Sequence, residues 1–305
     1  MVSKDLNVNM HTNSQPLIYF EDVHKRYGSN VVLDNIDMSV SKGEFCTLVG
    51  PSGCGKSTLL RLAIGQETPT HGRVLLENVP IQRPSTDRGI VYQKYSLFPH
   101  MSVIDNVILG FMLQCSLLER RKEKAKFIEH GMTYLKRLRL DQHASKYPHE
   151  LSGGMQQRAA IAQALILKPR VLIMDEPFGA LDPDTREDVQ LFLLELWDAE
   201  NMTIFFVTHD LIEALYLGSR LFVLSQFYTD DRGPDSRRGS KIVTDLHLGR
   251  GIKSPAIKHS EELQDKIRQI KQEGMNPEFL QHAKQFSLEH ADSFQTLTDA
   301  EHKSE

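Results

Sequence analysis

An apolar run, Phe45-Cys46-Thr47-Leu48-Val49, leads straight into Gly50-Pro51-Ser52-Gly53-Cys54-Gly55-Lys56-Ser57, and no other stretch constrains the fold so tightly. The octet fits G-x-x-x-x-G-K-[ST], a loop between strand and helix whose backbone N–H groups cradle nucleotide phosphates. A second helix start follows at Leu151-Ser152-Gly153-Gly154-Met155-Gln156-Gln157-Arg158. It also brings glycines to a helix N-terminus, where free N–H groups and the helix dipole favour anions. Two phosphate-type helix starts, only one with a lysine, imply a nucleotide held between two surfaces.

Composition narrows the class. The chain has 305 residues, 40 % apolar and 25 % charged, which is ordinary globular composition and ample for a core. A net charge of -4 gives no reason to expect nucleic acid as a partner. Cys46, Cys54 and Cys115 are too scattered for a disulfide framework or a zinc site, so a reducing cytosol is expected. Residues 1–15 are polar throughout and read as a mobile tail, not as a signal peptide. No run approaches the ~18 apolar residues of a membrane-spanning helix. Work at a membrane would need another chain to do the spanning.

Residues 17–40 alternate as antiparallel strands around a turn at Gly28-Ser29-Asn30. A helix is expected over 56–65, with further strands over 73–76 and 89–92. Residues 95–165 carry helical patterning and read as a helical subdomain inserted into an α/β core. The core resumes with Val171-Leu172-Ile173-Met174 and Thr203-Ile204-Phe205-Phe206-Val207, continuous apolar runs that suit parallel strands covered on both faces. Another strand is expected over 221–224. Residues 226–240 read as an exposed loop, with a strand near 242–246. The chain from 251 to 305 reads as a helical extension, in which Leu263, Ile267 and Ile270 form one apolar stripe. The favoured reading is a helix covering the chain's own core and dispensable for nucleotide chemistry. Residues 16–250 then form the nucleotide-binding domain.

In open α/β sheets ligands gather beyond the carboxyl ends of the strands. Gly50, Gln93, the pair Asp175-Glu176 and His209 each follow an expected core strand, so four separate segments deliver polar groups to one edge. Phosphoryl transfer to water needs charge neutralisation, a metal and a positioned water. Lys56 can reach the β- and γ-phosphates, and Ser57 offers its hydroxyl to Mg²⁺. Asp175 is the natural direct or outer carboxylate for that ion. Glu176 is the candidate for polarising the attacking water. Gln93 can hold metal or water through its amide oxygen, and His209 can donate to the γ-phosphate. Tyr27 reads either as a strand residue or as a platform for an adenine ring. Cys54 reads as a small loop residue, although its place before a helix N-terminus would lower a thiol's pKa.

Taken in order, these motifs resemble the nucleotide-binding subunit of an ABC transporter over residues 17–248. The set comprises the Walker A loop at 50–57, the Q-loop Gln93, the signature at 151–157 and Walker B at 171–176. The D-loop Gly179-Ala180-Leu181-Asp182 and the switch His209 complete it. The resemblance implies a P-loop NTPase cassette with a RecA-like core, an antiparallel β subdomain and the inserted helical subdomain. It implies ATP and Mg²⁺ as ligands, with Tyr27 stacked on adenine and Gly50, Pro51, Ser52, Gly53, Cys54, Gly55, Lys56, Ser57 and Thr58 around the phosphates. Ser57, Gln93 and Asp175 would serve the metal, and Glu176, His209, Gln93 and Lys56 the chemistry. Ser152, Gly153 and Gly154 would close on ATP held by a second copy in a head-to-tail dimer.

A single cassette resembles bacterial importers, whose permeases are separate chains fed by a solute-binding protein. The cassette would then sit peripherally on the cytoplasmic face of the inner membrane. The segments 87–99 and 178–182 resemble the nitrate/sulfonate/taurine branch, and Met155-Gln156-Gln157-Arg158 with Ala162-Gln163-Ala164-Leu165 is similar to urea carboxylase-related members. The loop at 226–240 and the chain beyond Ser254 depart from that branch's shortest members. The alternative reading is a soluble ABC ATPase acting on nucleic acid or ribosomes, a class that commonly carries paired cassettes, coiled-coil insertions or basic patches. A GTPase is disfavoured by the lack of an Asn-Lys-x-Asp base-reading motif.

Overall fold

Tyr27 pairs with Asn30 across the turn Gly28-Ser29, closing strand β1 (Ile18–Tyr27) onto β2 (Asn30–Val40). The computed structural model describes residues 16–94, 96–233, 238–251, 257–258 and 260–295; the expected N-terminal tail, 1–15, lies outside them. Strand β3 (Phe45–Val49) runs into the glycine loop and helix α1 (Lys56–Ile64). Strands β4 (His71–Leu76) and β5 (Val79–Pro80) complete an antiparallel sheet ordered β2-β1-β4-β5.

Strand β6 (Arg88–Val91) is followed by three helices, α2 (Val103–Gln114), α3 (Leu117–Arg137) and α4 (Gly153–Leu165). Serines start all three: the side chains of Ser102, Ser116 and Ser152 accept from backbone N–H groups of the first turn. Then come β7 (Val171–Asp175), α5 (Pro183–Glu200), β8 (Thr203–Val207), α6 (Leu211–Leu217) and β9 (Arg220–Ser225). The chain closes with β10 (Tyr228–Thr229), β11 (Lys241–His247), α7 (Glu261–Ile270), β12 (Gln281–His282) and β13 (Ser287–Leu288). A seven-stranded sheet has the order β13-β11-β9-β3-β8-β7-β6, with parallel pairing from β9 through β6.

Alternate residues of these central strands point to opposite faces, and both faces are covered. Phe45, Leu172, Met174, Ile204 and Phe206 pack with residues of α2 to α5. Cys46, Leu48, Ile173, Phe205 and Val207 pack with α1 and the antiparallel sheet. Burial on both sides is why the runs at 171–174 and 203–207 lack polar alternation. Ala159, Ile161 and Ala162 of α4 share one cluster with Leu172 and Met174, so helices and parallel sheet have a common core.

Two expectations need correction. The segment 226–240, of which 234–237 lie outside the described residues, is not simply an exposed loop. Tyr228 is buried and its hydroxyl donates to the Gly239 carbonyl at 3.1 Å. Arg232 pairs with Asp34 and Asp230, both at 2.6 Å, and β10 pairs with β12. Several of the charges that suggested solvent pair with one another, although Asp231 and Arg232 stay exposed. The C-terminal region, among the described residues, is only partly helical. Its α-helix spans ten residues and passes into a five-residue π turn, Lys271–Met275. A Cβ at Gly274 would lie 2.5 Å from Val223 Cγ1, so the chain presses against β9 there. It then returns as β13 to pair with β11.

This return is part of the core. Leu263, Ile267 and Ile270 pack with Val49, Leu211, Leu215 and Val223. The buried Arg220 guanidinium grips Asp245 through two bonds of 2.8 and 2.7 Å, and the Ser293 hydroxyl donates to the same carboxylate. Phe294 stacks on Tyr19 at 4.7 Å. A chain ending at Ser254 loses three buried aliphatic side chains, each worth about 1.5–3 kcal/mol, against a total stability of about 5–15 kcal/mol for a typical domain. We expect it to be insoluble, or to melt more than about 10 °C lower in calorimetry. An unchanged melting temperature would show that the return is only appended. The expected helix over the chain's own core is present, and its loss is expected to act through stability rather than through the nucleotide chemistry.

Candidate active site

The loop between β3 and α1 leaves no space for side chains at two of its glycines. At Gly50, φ is 154°, and a Cβ would sit 2.1 Å from the Leu224 carbonyl oxygen. At Gly55, φ is 98°, and a Cβ would meet Val32 Cγ1 at 2.8 Å. The Lys56 ammonium folds back over the loop and donates to the carbonyls of Gly50 (2.8 Å) and Pro51 (3.0 Å). Ser52 and Gly53 are exposed at the rim, while Thr58 is buried in α1. Cys54 is buried too, and burial raises its thiol pKa even with Lys56 nearby. The expectation of a lowered pKa is overturned, because loss of water outweighs the helix end.

The carboxylates meet this loop at the end of β7. The Ser57 hydroxyl donates to Asp175 Oδ2 at 3.0 Å. Burial, and then the adjacent Glu176 charge, push the Asp175 carboxyl above its ordinary range despite that bond. A half-buried carboxylate facing a hydroxyl suits a hard divalent cation with oxygen ligands. Glu176 has φ 46°, a left-handed conformation uncommon for a residue with a side chain. Its N–H donates to the Val207 carbonyl at 2.9 Å, which ties the turn to β8. Gln93, two residues past β6, donates from Nε2 to Glu176 Oε2 at 2.9 Å. His209, two residues past β8, places Nδ1 3.4 Å from Glu176 Oε1. The strand order β3-β8-β7-β6 thus gathers Lys56, Ser57, Gln93, Asp175, Glu176 and His209 at one edge.

Other expected residues stand apart. Among the described residues, no hydrogen bond or ion pair joins Ser152, Gly153 or Gly154 to the glycine loop. Ser152 is exposed, and its Oγ accepts from Met155 N at 3.3 Å at the start of α4. A Cβ at Gly154 would lie 3.0 Å from the Ala180 carbonyl, so this helix start rests against the turn after β7. Tyr27 is 43 % exposed; its hydroxyl donates to Glu67, and the Lys25 ammonium lies 5.1 Å from its ring centre.

Sequence reasoning missed the brace behind His209. Glu213 is buried; it accepts from the Thr208 hydroxyl at 2.9 Å and from Gln190 Nε2 on α5 at 3.2 Å. The available signal was its spacing of three from Asp210, which caps α6. Such spacing ordinarily reads as local capping chemistry. Here the side chain turns inward instead.

A phosphate loop after one parallel strand and a carboxylate pair after another define a P-loop nucleoside triphosphatase. Comparison with known proteins narrows this. The family described as ABC transporter matches residues 33–179. The Nitrate import ATP-binding protein NrtD of Synechocystis is 47 % identical over 199 residues, 65 % of this chain and 72 % of that one. The Aliphatic sulfonates import ATP-binding protein SsuB of Bacillus cereus is 41 % identical over 201 residues, 66 % of this chain and 76 % of that one. A dimeric ATP-binding cassette solved in a post-hydrolysis state with ADP and Pi superposes with a TM-score of 0.62 at 30 % identity, covering 77 % of this chain and all of that one. The chain belongs to the ABC transporter family as an ATP-binding, ATP-hydrolysing subunit.

Proposed function

We propose that two copies of this chain, arranged head to tail, hydrolyse Mg²⁺-bound ATP to drive import of a small solute of the nitrate, sulfonate or taurine type through a separate permease. The observation that carries the chemistry is Glu176, with one oxygen on Gln93 and the other beside His209. A carboxylate so oriented accepts a proton from water as the water attacks the γ-phosphate. Lys56 exchanges its loop carbonyls for phosphate oxygens, a stronger charge-assisted pairing. Ser57 and Asp175 are the residues to hold Mg²⁺, which supplies charge neutralisation at the phosphates. The start of α4 at Ser152 leaves the N–H groups of Gly153 and Gly154 free of intrahelical partners, and in a dimer they would face the partner's nucleotide.

The names of the relatives support the import reading, and the dimeric cassette supports a paired arrangement. No helix among the described residues is long and apolar enough to cross a membrane. The cassette would bind a permease from the cytoplasmic face of the bacterial inner membrane, and a solute-binding protein would deliver the cargo. Disrupting the chain in its host and measuring uptake of labelled nitrate, alkanesulfonate and taurine tests this. Loss of uptake for one of them is expected, and unchanged uptake of all three would refute the solute class.

The segment after Gln93 is the proposed permease contact; Tyr95 lies outside the described residues. Phe98 is 45 % exposed, whereas Leu97 and Met101 are half-buried, with Leu97 packed on the core. Buried Asn106 fixes this turn, donating to the carbonyls of Phe98 and Met101, both at 3.1 Å. An apolar ring held out on a rigid turn is the form of an interface anchor. Phe98→Asp should lower uptake roughly tenfold or more while sparing the ATPase of the isolated subunit. Full uptake by a folded Phe98→Asp protein would exclude this contact.

A further inference from the structure

A cavity of about 190 Å³ opens beyond the amino ends of β3, β7 and β8, at the opposite end of the sheet from the nucleotide loop. Lys42, Arg170 and Met202, which stand just before those strands, help to line it. Tyr134 reaches it from α3. The tyrosine is only 7 % exposed, its ring set edge-on against His130 and Phe192. No described residue hydrogen-bonds its hydroxyl, which leaves that donor to water or a ligand. The phenol feels the charges of both Lys168 and Glu200.

The charge around the cavity is unbalanced. Lys168 pairs with Glu200 at 2.5 Å, and Arg170 pairs with Glu77. Lys42 makes no ion pair or hydrogen bond among the described residues. With Lys168 and Arg170 each matched by a carboxylate, Lys42 is the one cation left over at the opening among the described residues. Leu165 and Leu196, with Met202, supply an apolar wall. An unpaired donor and an unpaired cation beside apolar surface match a ligand with a charged head and a greasy body.

We propose that this cavity binds a small organic anion, with a sulfonate or carboxylate head on Tyr134 and Lys42 and a short hydrocarbon body on Leu165, Leu196 and Met202. Its occupant would touch α3 as well as the turns that precede β7 and β8. It would bind apart from the phosphate loop, so nucleotide and anion need not compete.

The probe is hexane-1-sulfonate, titrated calorimetrically into the full-length chain saturated with Mg²⁺ and ADP. For a ligand of its size we expect one site with Kd on the order of 1 mM. Tyr134→Phe keeps the ring and removes only the hydroxyl; it should weaken binding about fivefold to tenfold. Lys42→Gln should weaken it about threefold to fivefold, as befits a partly solvated charge. Both variants should keep the wild-type ATPase rate. Hexan-1-ol, lacking the charge, and sulfate, lacking the body, should each bind at least about tenfold more weakly. The proposal is overturned by no saturable binding to the wild-type chain, which would leave only a hydrated cleft. Equal affinity of both variants, or of either control ligand, would overturn it as well.

Discussion

Replacing Glu176 by glutamine should slow ATP hydrolysis by about 10²–10⁴-fold while leaving ATP binding intact. The substitution keeps the side chain's length and volume, so Gln93 and His209 retain a neighbour to bond. What it removes is the ability to take a proton from water. Lys56, Ser57 and Asp175 are untouched, and they are the groups proposed for the phosphates and the metal. ATP-bound dimers should therefore accumulate, visible as an ATP-dependent shift to the dimer in size-exclusion chromatography. Hydrolysis at the wild-type rate by Glu176→Gln would remove this residue from the mechanism.

The second large effect is expected far from Glu176. Ser152→Arg places a long cation at an exposed helix start, without entering the tight contact between Gly154 and Ala180. The lost N-cap costs about 1 kcal/mol, too little to unfold a domain of ordinary stability. Nucleotide should bind the isolated subunit as before, since no bond joins Ser152 to the loop that holds it. Hydrolysis should fall to background, because in the proposed head-to-tail dimer the arginine would block approach of α4 to the partner's γ-phosphate. Weakened nucleotide binding by the monomer would mean that the signature acts within its own chain.

Much of this was legible in the residues because the signals are local. The glycine loop, the apolar runs of β7 and β8 and the helix start at Ser152 are each set by neighbours a few positions apart. The gathering of Gln93, Asp175-Glu176 and His209 follows from strand order, which a series of parallel strands strongly restricts. The C-terminal return was not legible. Strands β10, β12 and β13 are two residues long, too short for alternation to show, and β10 and β13 find partners about 40 or more residues away. Arg232 and Asp34 pair across nearly the whole cassette, so their charges read as solvated until the fold joins them. Glu213 was hidden differently: its spacing announced a cap, and its bonds make it a brace.

Mixing two inactive chains tests the composite site most directly. One carries Ser152→Arg and the other Lys56→Ala, and each should be inactive alone. Each mixed dimer then holds one intact site, formed by Lys56 of the first chain and Ser152 of the second. With random pairing and independent sites, half the dimers are mixed and each has one working site of two, so phosphate release should recover to about a quarter of the wild-type rate. Absence of any recovery, with mixed dimers shown to form, would contradict a site shared between two copies.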